Sequence, residues 1–356
     1  MHVPDGFINA PVSAVAGVVA AGAVAVSLRG ARRELGGTSH AEGYGGERTA
    51  PLAGLVAAFI FAVQMLNFPV AAGTSGHLLG GALAAILVGP YTGVLVISVV
   101  LLMQGVLFAD GGLTALGVNI TVMGVVTVLV AHTVFRGLVK VLPRGRRSTT
   151  AASFVAAFLS VPAAAIAFTL IYAVGGTTDV PVGKVFTAMV GVHTLIGLGE
   201  AAITALTVGA VIAVRPDLVF GARGLAAPLK LRVGGELVDA APAAPAPTAA
   251  RSRSTRKVWA VGLVTSLVLA GFVSFYASAS PDGLEKVAAD KGIDKKVEEH
   301  AAADSPLADY GVKNVDNARL SGGLAGVIGV GATVVVGSGI FWTVRRRRTA
   351  SVTEAA

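Results

Sequence analysis

Nine apolar segments, at residues 8–28, 51–67, 78–89, 92–108, 113–135, 151–174, 185–214, 258–279 and 322–343, leave this chain little choice of solvent. A helix needs about 20 predominantly apolar residues to cross the hydrocarbon core of a bilayer, and most of these segments approach or reach that length. Only 13% of the residues are charged, against about a quarter in a soluble protein. The expected fold is an all-α polytopic membrane protein, multi-pass in the cell membrane: a bundle of about seven helices followed by a C-terminal two-helix hairpin. Residues 78–89 and 92–108 are short and separated by Gly89-Pro90. They read as two thin helices or as one crossing with a re-entrant break, a geometry tolerated at depth only where protein or a cavity surrounds it.

Lysine and arginine placement gives an orientation. With the N-terminus outside and the segments alternating, 21 of the 28 basic residues fall in inside loops, among them Arg29, Arg32, Arg33, Arg136, Arg146, Arg215 and the run Arg345 to Arg348. The C-terminus is then inside. The net charge of +8 thus reads as a topology signal and a contact with lipid headgroups of the bilayer, not as a nucleic-acid footprint. The first apolar run has no basic residue before it, so the start of the chain does not read as an ordinary cleavable signal peptide.

Composition divides the chain. Residues 1–215 read as one compact membrane domain. Residues 216–257, which include AAPAAPAPTAARSRSTRK, are Ala/Pro-rich and basic without a sustained apolar period, as a flexible inside linker would be. Residues 258–356 carry two spans around a polar outside segment, 280–321, and read as a second module tethered to the first.

With no cysteine and six histidines (His2, His40, His77, His132, His193 and His300), a transition-metal site must use nitrogen and oxygen donors. The chain begins MHVPDGF. A large second residue protects the first methionine from aminopeptidase trimming, so Met1 offers a free amine. His2 adds its backbone nitrogen and an imidazole nitrogen. These three atoms close a five- and a six-membered chelate ring on one ion, and a fourth nitrogen completes a square plane, the geometry that suits nickel or copper and low-spin cobalt. Pro4-Asp5-Gly6 is a tight turn able to fold the terminus back onto the bundle. On these residues alone, the alternative is a turn leading into a helix with an incidental histidine.

FPVAAGTSGHLLGG, Phe68 to Gly81, lies between apolar segments on the same outside face. Its His77 is the best available fourth nitrogen. Asn67, Thr74 and Ser75 are placed to hold the ligands by hydrogen bonds, and the alternative is an ordinary Gly-rich re-entrant loop. In GVHTLIGLGEAAIT, His193 and Glu200 lie seven apart on one face of a spanning helix. Ionisable groups there are costly, so relay, gating or ion passage is one reading; a pair pinning two helices is the other. Ser280-Pro281-Asp282-Gly283 is a second turn, leading through Leu284 and Glu285 into a short amphipathic helix. Asp282 and Glu285 are read as exposed carboxylates, weak for a divalent cation on their own, or as part of a turn that seats this segment on the main bundle. His40, His132 and His300 receive no chemistry.

Gly183-Lys184 lacks the spacing and the Ser/Thr of a phosphate loop, and no HExxH-like cluster of a metalloenzyme occurs. The chain therefore reads as a non-enzyme without a cofactor of its own.

MHVPDGF, Asn67 to Gly81 and His193 to Thr204, in that order, resemble the CbiM/NikM family, the substrate-capture components of cobalt/nickel energy-coupling-factor ABC transporters. Pro281-Asp282-Gly283-Leu284-Glu285 resembles the PDGLE type of the small CbiN/NikN partner, so the chain looks like a fusion of the two. The resemblance implies that Met1, His2 and His77 hold Co2+ or Ni2+, and that the small partner helps to load it. It also implies that a transmembrane coupling (T) subunit and cytoplasmic ATPase (A) subunits supply the energy. The alternative function is an autonomous proton-coupled secondary metal transporter working through His193 and Glu200.

Overall fold

The computed structural model describes residues 1–35, 49–71, 73–222, 230–233, 236–239 and 255–353. The readings placed on His40 and on the Ala/Pro-rich run at 240–254 lie outside the described residues. The protein is a helical bundle of α1 (Ala10–Leu35), α2 (Thr49–Gln64), the β1–β2 hairpin (Phe68–Ala71, Thr74–Gly76), α3 (Gly81–Val88), α4 (Pro90–Phe108), α5 (Leu116–Asn119), α6 (Thr127–Val141), α7 (Arg146–Gly175) and α8 (Val182–Val214). A seven-residue π turn, Ile120–Val126, joins α5 to α6. A strand pair, β3 (Lys230–Val233) and β4 (Glu236–Asp239), precedes the tail helices α9 (Arg256–Gly271), α10 (Gly283–Lys291) and α11 (Ala318–Thr353).

Seven helices among the described residues are long and apolar enough to span a membrane, and α2 is a shorter apolar one. Large apolar side chains face outward along them, such as Val18 at 74%, Leu170 at 64% and Leu206 at 74% exposure. In a bilayer that surface meets lipid at no cost.

The pair flanking Gly89-Pro90 resolves as two helices folded back on each other: α4 is long enough to span alone, and an added Cβ on Gly93 would lie 3.1 Å from the Ala85 nitrogen of α3. The chain leaves the β1–β2 hairpin without regular structure through His77 to Gly80, and only then starts α3, all eight of whose residues are buried. Gly80 sits at φ 85, a left-handed conformation that glycine adopts without penalty. No side chain of its own caps α3. Instead the Glu200 carboxylate, from α8, accepts the backbone N–H of Leu79 at 2.5 Å and of Gly80 at 3.0 Å. At the far end Glu34 of α1 does the same for α4, accepting the N–H of Tyr91 (3.2 Å) and Thr92 (2.7 Å). Buried backbone donors need such partners when water is absent; those of Tyr91 and Thr92 are the orphan donors of the first turn of α4, where a carboxylate also complements the helix dipole.

Glu200 and His193 do not pair with each other as the pinning alternative supposed. His193 directs Nδ1 to the Met189 carbonyl (2.8 Å) within its own helix.

Within residues 216–257, 3-10 turns occupy Pro216–Leu218 and Phe220–Ala222, and β3 pairs antiparallel with β4. Two residues between alternating segments are a hairpin signal that the basic, proline-rich composition of the wider stretch masked. The tail is not merely tethered. α11 packs against α2 and α9, and α10 against α8. Gly329 admits Phe61, whose ring would lie 2.3 Å from an added Cβ, the close approach that small residues allow between membrane helices.

Candidate metal centre

The N-terminal arm is buried. Met1 is 2% and Val3 0% exposed. Asn119, at the α5–π junction, grips Val3 on both sides: its Oδ1 accepts the Val3 N–H (2.8 Å) and its Nδ2 donates to the Val3 carbonyl (3.0 Å). The Val3 carbonyl also accepts from Gly112 N–H. Asp5 fixes the turn from below. Its carboxylate accepts the N–H of Leu113 and Thr114 and, at 2.5 Å, the Thr114 hydroxyl. The Pro-Asp-Gly turn thus does fold the terminus onto the bundle, with Gly6 at φ 84.

The arm delivers the Met1 amine nitrogen to 2.6 Å from Nε2 of His77. His77 comes from the segment that Glu200 anchors. Its Nδ1 lies 2.9 Å from the Leu78 carbonyl, which only accepts, so Nδ1 carries the proton and Nε2 presents a lone pair. That is the tautomer a metal requires. Burial pushes the His77 imidazole below its ordinary value, and the positive amine adds to this.

The His2 ring stacks on that of His77, with centroids 5.0 Å apart. Its Nδ1, the atom the chelate needs, donates to Oδ1 of Asp110 at 2.6 Å, and its buried Nε2 has no partner. Asp110 accepts the Tyr310 hydroxyl on its other oxygen, again at 2.6 Å. Burial raises the Asp110 carboxyl, but the charge and hydrogen bond of His2 and the hydrogen bond of Tyr310 outweigh it and hold it at about 2. Burial and the Asp110 charge push the Tyr310 hydroxyl well above the usual phenol range.

Asp282 brings a correction. It is not an exposed carboxylate, being 8% exposed, with Oδ2 at 2.6 Å from the Met1 amine and 3.4 Å from Nε2 of His77. Burial pushes its carboxyl up, but the Met1 charge and the His77 hydrogen bond hold it well below the usual range. Ser75 seats this segment: its N–H and hydroxyl both donate to the Pro281 carbonyl, and the hydroxyl also reaches that of Ser280 (2.7 Å). Gly283 lies so close to α8 that an added Cβ would stand 2.7 Å from Ile196 and 3.1 Å from the His193 ring. Leu284 is buried, and Glu285 closes a capping box with Asp282.

Met1, His2 and His77 therefore meet, joined by Asp282. Of the proposed supports, Ser75 holds the tail segment and Asp5 the arm. Asn67 accepts the Ser278 N–H through its carbonyl, and Thr74 is a buried β2 residue with no donor atom in the cluster. His193 is fully buried, its Nε2 unpartnered. Asp110, Asn119 and Tyr310 were missed. Asp110 follows one apolar run, Asn119 lies inside another and Tyr310 in the polar tail segment, and their partners lie far away in sequence, so no local period marks them. The donor set fits a nitrogen-coordinated cation, with His2 having to leave Asp110 before its Nδ1 joins.

Residues 2–218 match the family described as cobalt uptake substrate-specific transmembrane region, and residues 256–346 match the PDGLE domain. A protein of Haloquadratum walsbyi provisionally named as a metal transport protein is 40% identical over 220 residues, covering 62% of this chain and 94% of that one. The fused nickel transport protein NikMN of Rhodobacter capsulatus is 33% identical over 258 residues, 68% of this chain and 72% of that one. A crystal structure of a truncated transition metal transporter superposes with a TM-score of 0.50 at 25% identity, covering 60% of this chain and 99% of that one. With an arm, the segment leading into α3 and a tail turn converging on one cluster, and both matches spanning those parts, this chain belongs to the CbiM/NikM family of cobalt-uptake transmembrane proteins, fused to a PDGLE domain.

Proposed function

We propose that this chain captures Co2+ or Ni2+ at the outer face of the membrane and delivers it for ATP-driven uptake, as the substrate-specific component of an energy-coupling-factor transporter. The observation that carries this reading is the 2.6 Å approach of the Met1 amine to the Nε2 lone pair of buried His77. Two of four nitrogen donors are side by side before any metal arrives, and His2 supplies the other two once its ring turns from Asp110. The names of the relatives, nickel transport in one and cobalt transport in a Sorangium cellulosum protein 34% identical over 174 residues, support cargo of this class. Both ions accept such a nitrogen set. Coupling (T) and ATPase (A) subunits are then separate chains, and residues 1–215 bind while 258–356 assist, across the 216–257 linker.

The test uses protein purified with its native N-terminus. Acetylation of the Met1 amine, which removes its lone pair, should abolish nickel and cobalt binding while the protein still folds. Normal binding by the acetylated protein would sink the reading. The secondary-transporter alternative needs Glu200 to carry protons, yet its oxygens accept the Leu79 and Gly80 N–H groups; uptake by this chain alone in liposomes would favour it.

A further inference from the structure

We propose that Asp282 of the tail is a transient metal ligand: Oδ2 binds the incoming cation first and gives it up as the His2 nitrogens close the square plane. This rests on the proposed site at Met1, His2 and His77.

The two Asp282 oxygens have separate tasks. Oδ1 accepts the Glu285 N–H at 2.9 Å, while Glu285 Oε2 accepts the Asp282 N–H at 2.9 Å, a reciprocal capping box at the start of α10. The box fixes the side chain, and that leaves Oδ2 pointing at Met1 and His77. Its distances of 2.6 and 3.4 Å to their nitrogens put three donors within reach of one ion. The Ser75 bonds and the Gly283–α8 contact hold the backbone there.

The same cluster opens on a cavity of about 580 Å³ between bundle and tail, lined by Asp110, Asp282, Glu285 and Asp309, with Arg319 as its basic residue. A cleft of that charge concentrates a hydrated dication. Hard oxygen donors suit an ion still carrying water, and nitrogen donors suit it once dehydrated. The order follows from geometry. Asp282 is already aimed at the site, whereas His2 Nδ1 is still held by Asp110. In the final plane all four positions are nitrogen, so the carboxylate must leave.

The experiment is stopped-flow mixing of Ni2+ with the full chain, native N-terminus, following the square-planar absorbance band. Asp282→Asn keeps an N-cap oxygen and removes the charge. It should slow appearance of the band at least about tenfold, leave equilibrium affinity within about threefold, and flatten the salt dependence of the rate. Ser75→Ala, which loosens the seat without touching the charge, should keep the wild-type salt dependence. If Asp282→Asn loads at the wild-type rate, or loses affinity as fully as His77→Ala, the transient role is wrong. If wild-type protein binds nickel without the band, the four-nitrogen site itself is wrong and this step falls with it.

Discussion

Glu200 accepts the backbone N–H of Leu79 at hydrogen-bond distance across the bundle, from a helix 121 residues later in the chain. That bond, with its twin to Gly80, turns the irregular stretch before α3 into a fixed support for His77. Glu200→Ala should leave two buried N–H groups without partners, at about 1–3 kcal/mol each. Thermal unfolding in detergent should register the loss, with Glu200→Gln, which keeps one acceptor oxygen, falling between. Equal melting of Glu200→Ala and wild type would mean that the cap contributes nothing.

Asn119 sets the depth of the arm through its two bonds to Val3. Asn119→Ala should weaken nickel binding by about tenfold or more with little change in helicity. Calorimetric titration beside circular dichroism checks both halves of this expectation.

Gly112 passes so close to the arm that an added Cβ would lie 2.3 Å from the Asp5 nitrogen. Backbone cannot step aside as a flexible side chain does, so Gly112→Ala should displace the Pro4–Gly6 turn and cost about 1–3 kcal/mol. Metal binding should fall with it, whereas Gly17→Ala, which meets nothing within 4 Å, should behave as wild type in both assays.

Asp110 holds His2 away from the chelating position. A hydrogen bond to a charged group contributes about 1.5–3 kcal/mol, and here it belongs to the metal-free form. Asp110→Asn should therefore tighten nickel binding, by about tenfold, measured as Kd at fixed pH and salt. Weaker binding would show that Asp110 supports the loaded site instead.

Much of this was legible in the sequence. All nine apolar segments correspond to helices, because lipid solvation imposes a length rule on each segment separately. Gly89-Pro90 marked the break between α3 and α4, but not that residues 77–80 stay outside α3, since their backbone is held by Glu200 reaching the Leu79 and Gly80 nitrogens. Met1, His2 and His77 were marked by their rarity and shared side. Asp110 and Tyr310 were not, being 108 and 308 residues from His2, and they become neighbours only when the tail folds down. From sequence, Asp282 reads as an exposed carboxylate or as part of a turn that seats its segment on the bundle. Its burial follows from the Ser75 and Gly283 contacts, which no turn signature contains.

The tail also lies across the arm. The Glu298 N–H donates to the Asp5 carbonyl, and an added Cβ on Gly6 would stand 2.0 Å from the Lys296 oxygen. Beneath that cover the Met1 amine has no exposed surface. If the Met1 amine is the ligand proposed above, a fusion of the two modules in the reverse order would put a peptide bond on that nitrogen and remove the donor, while the order found here lets the tail segment cover it.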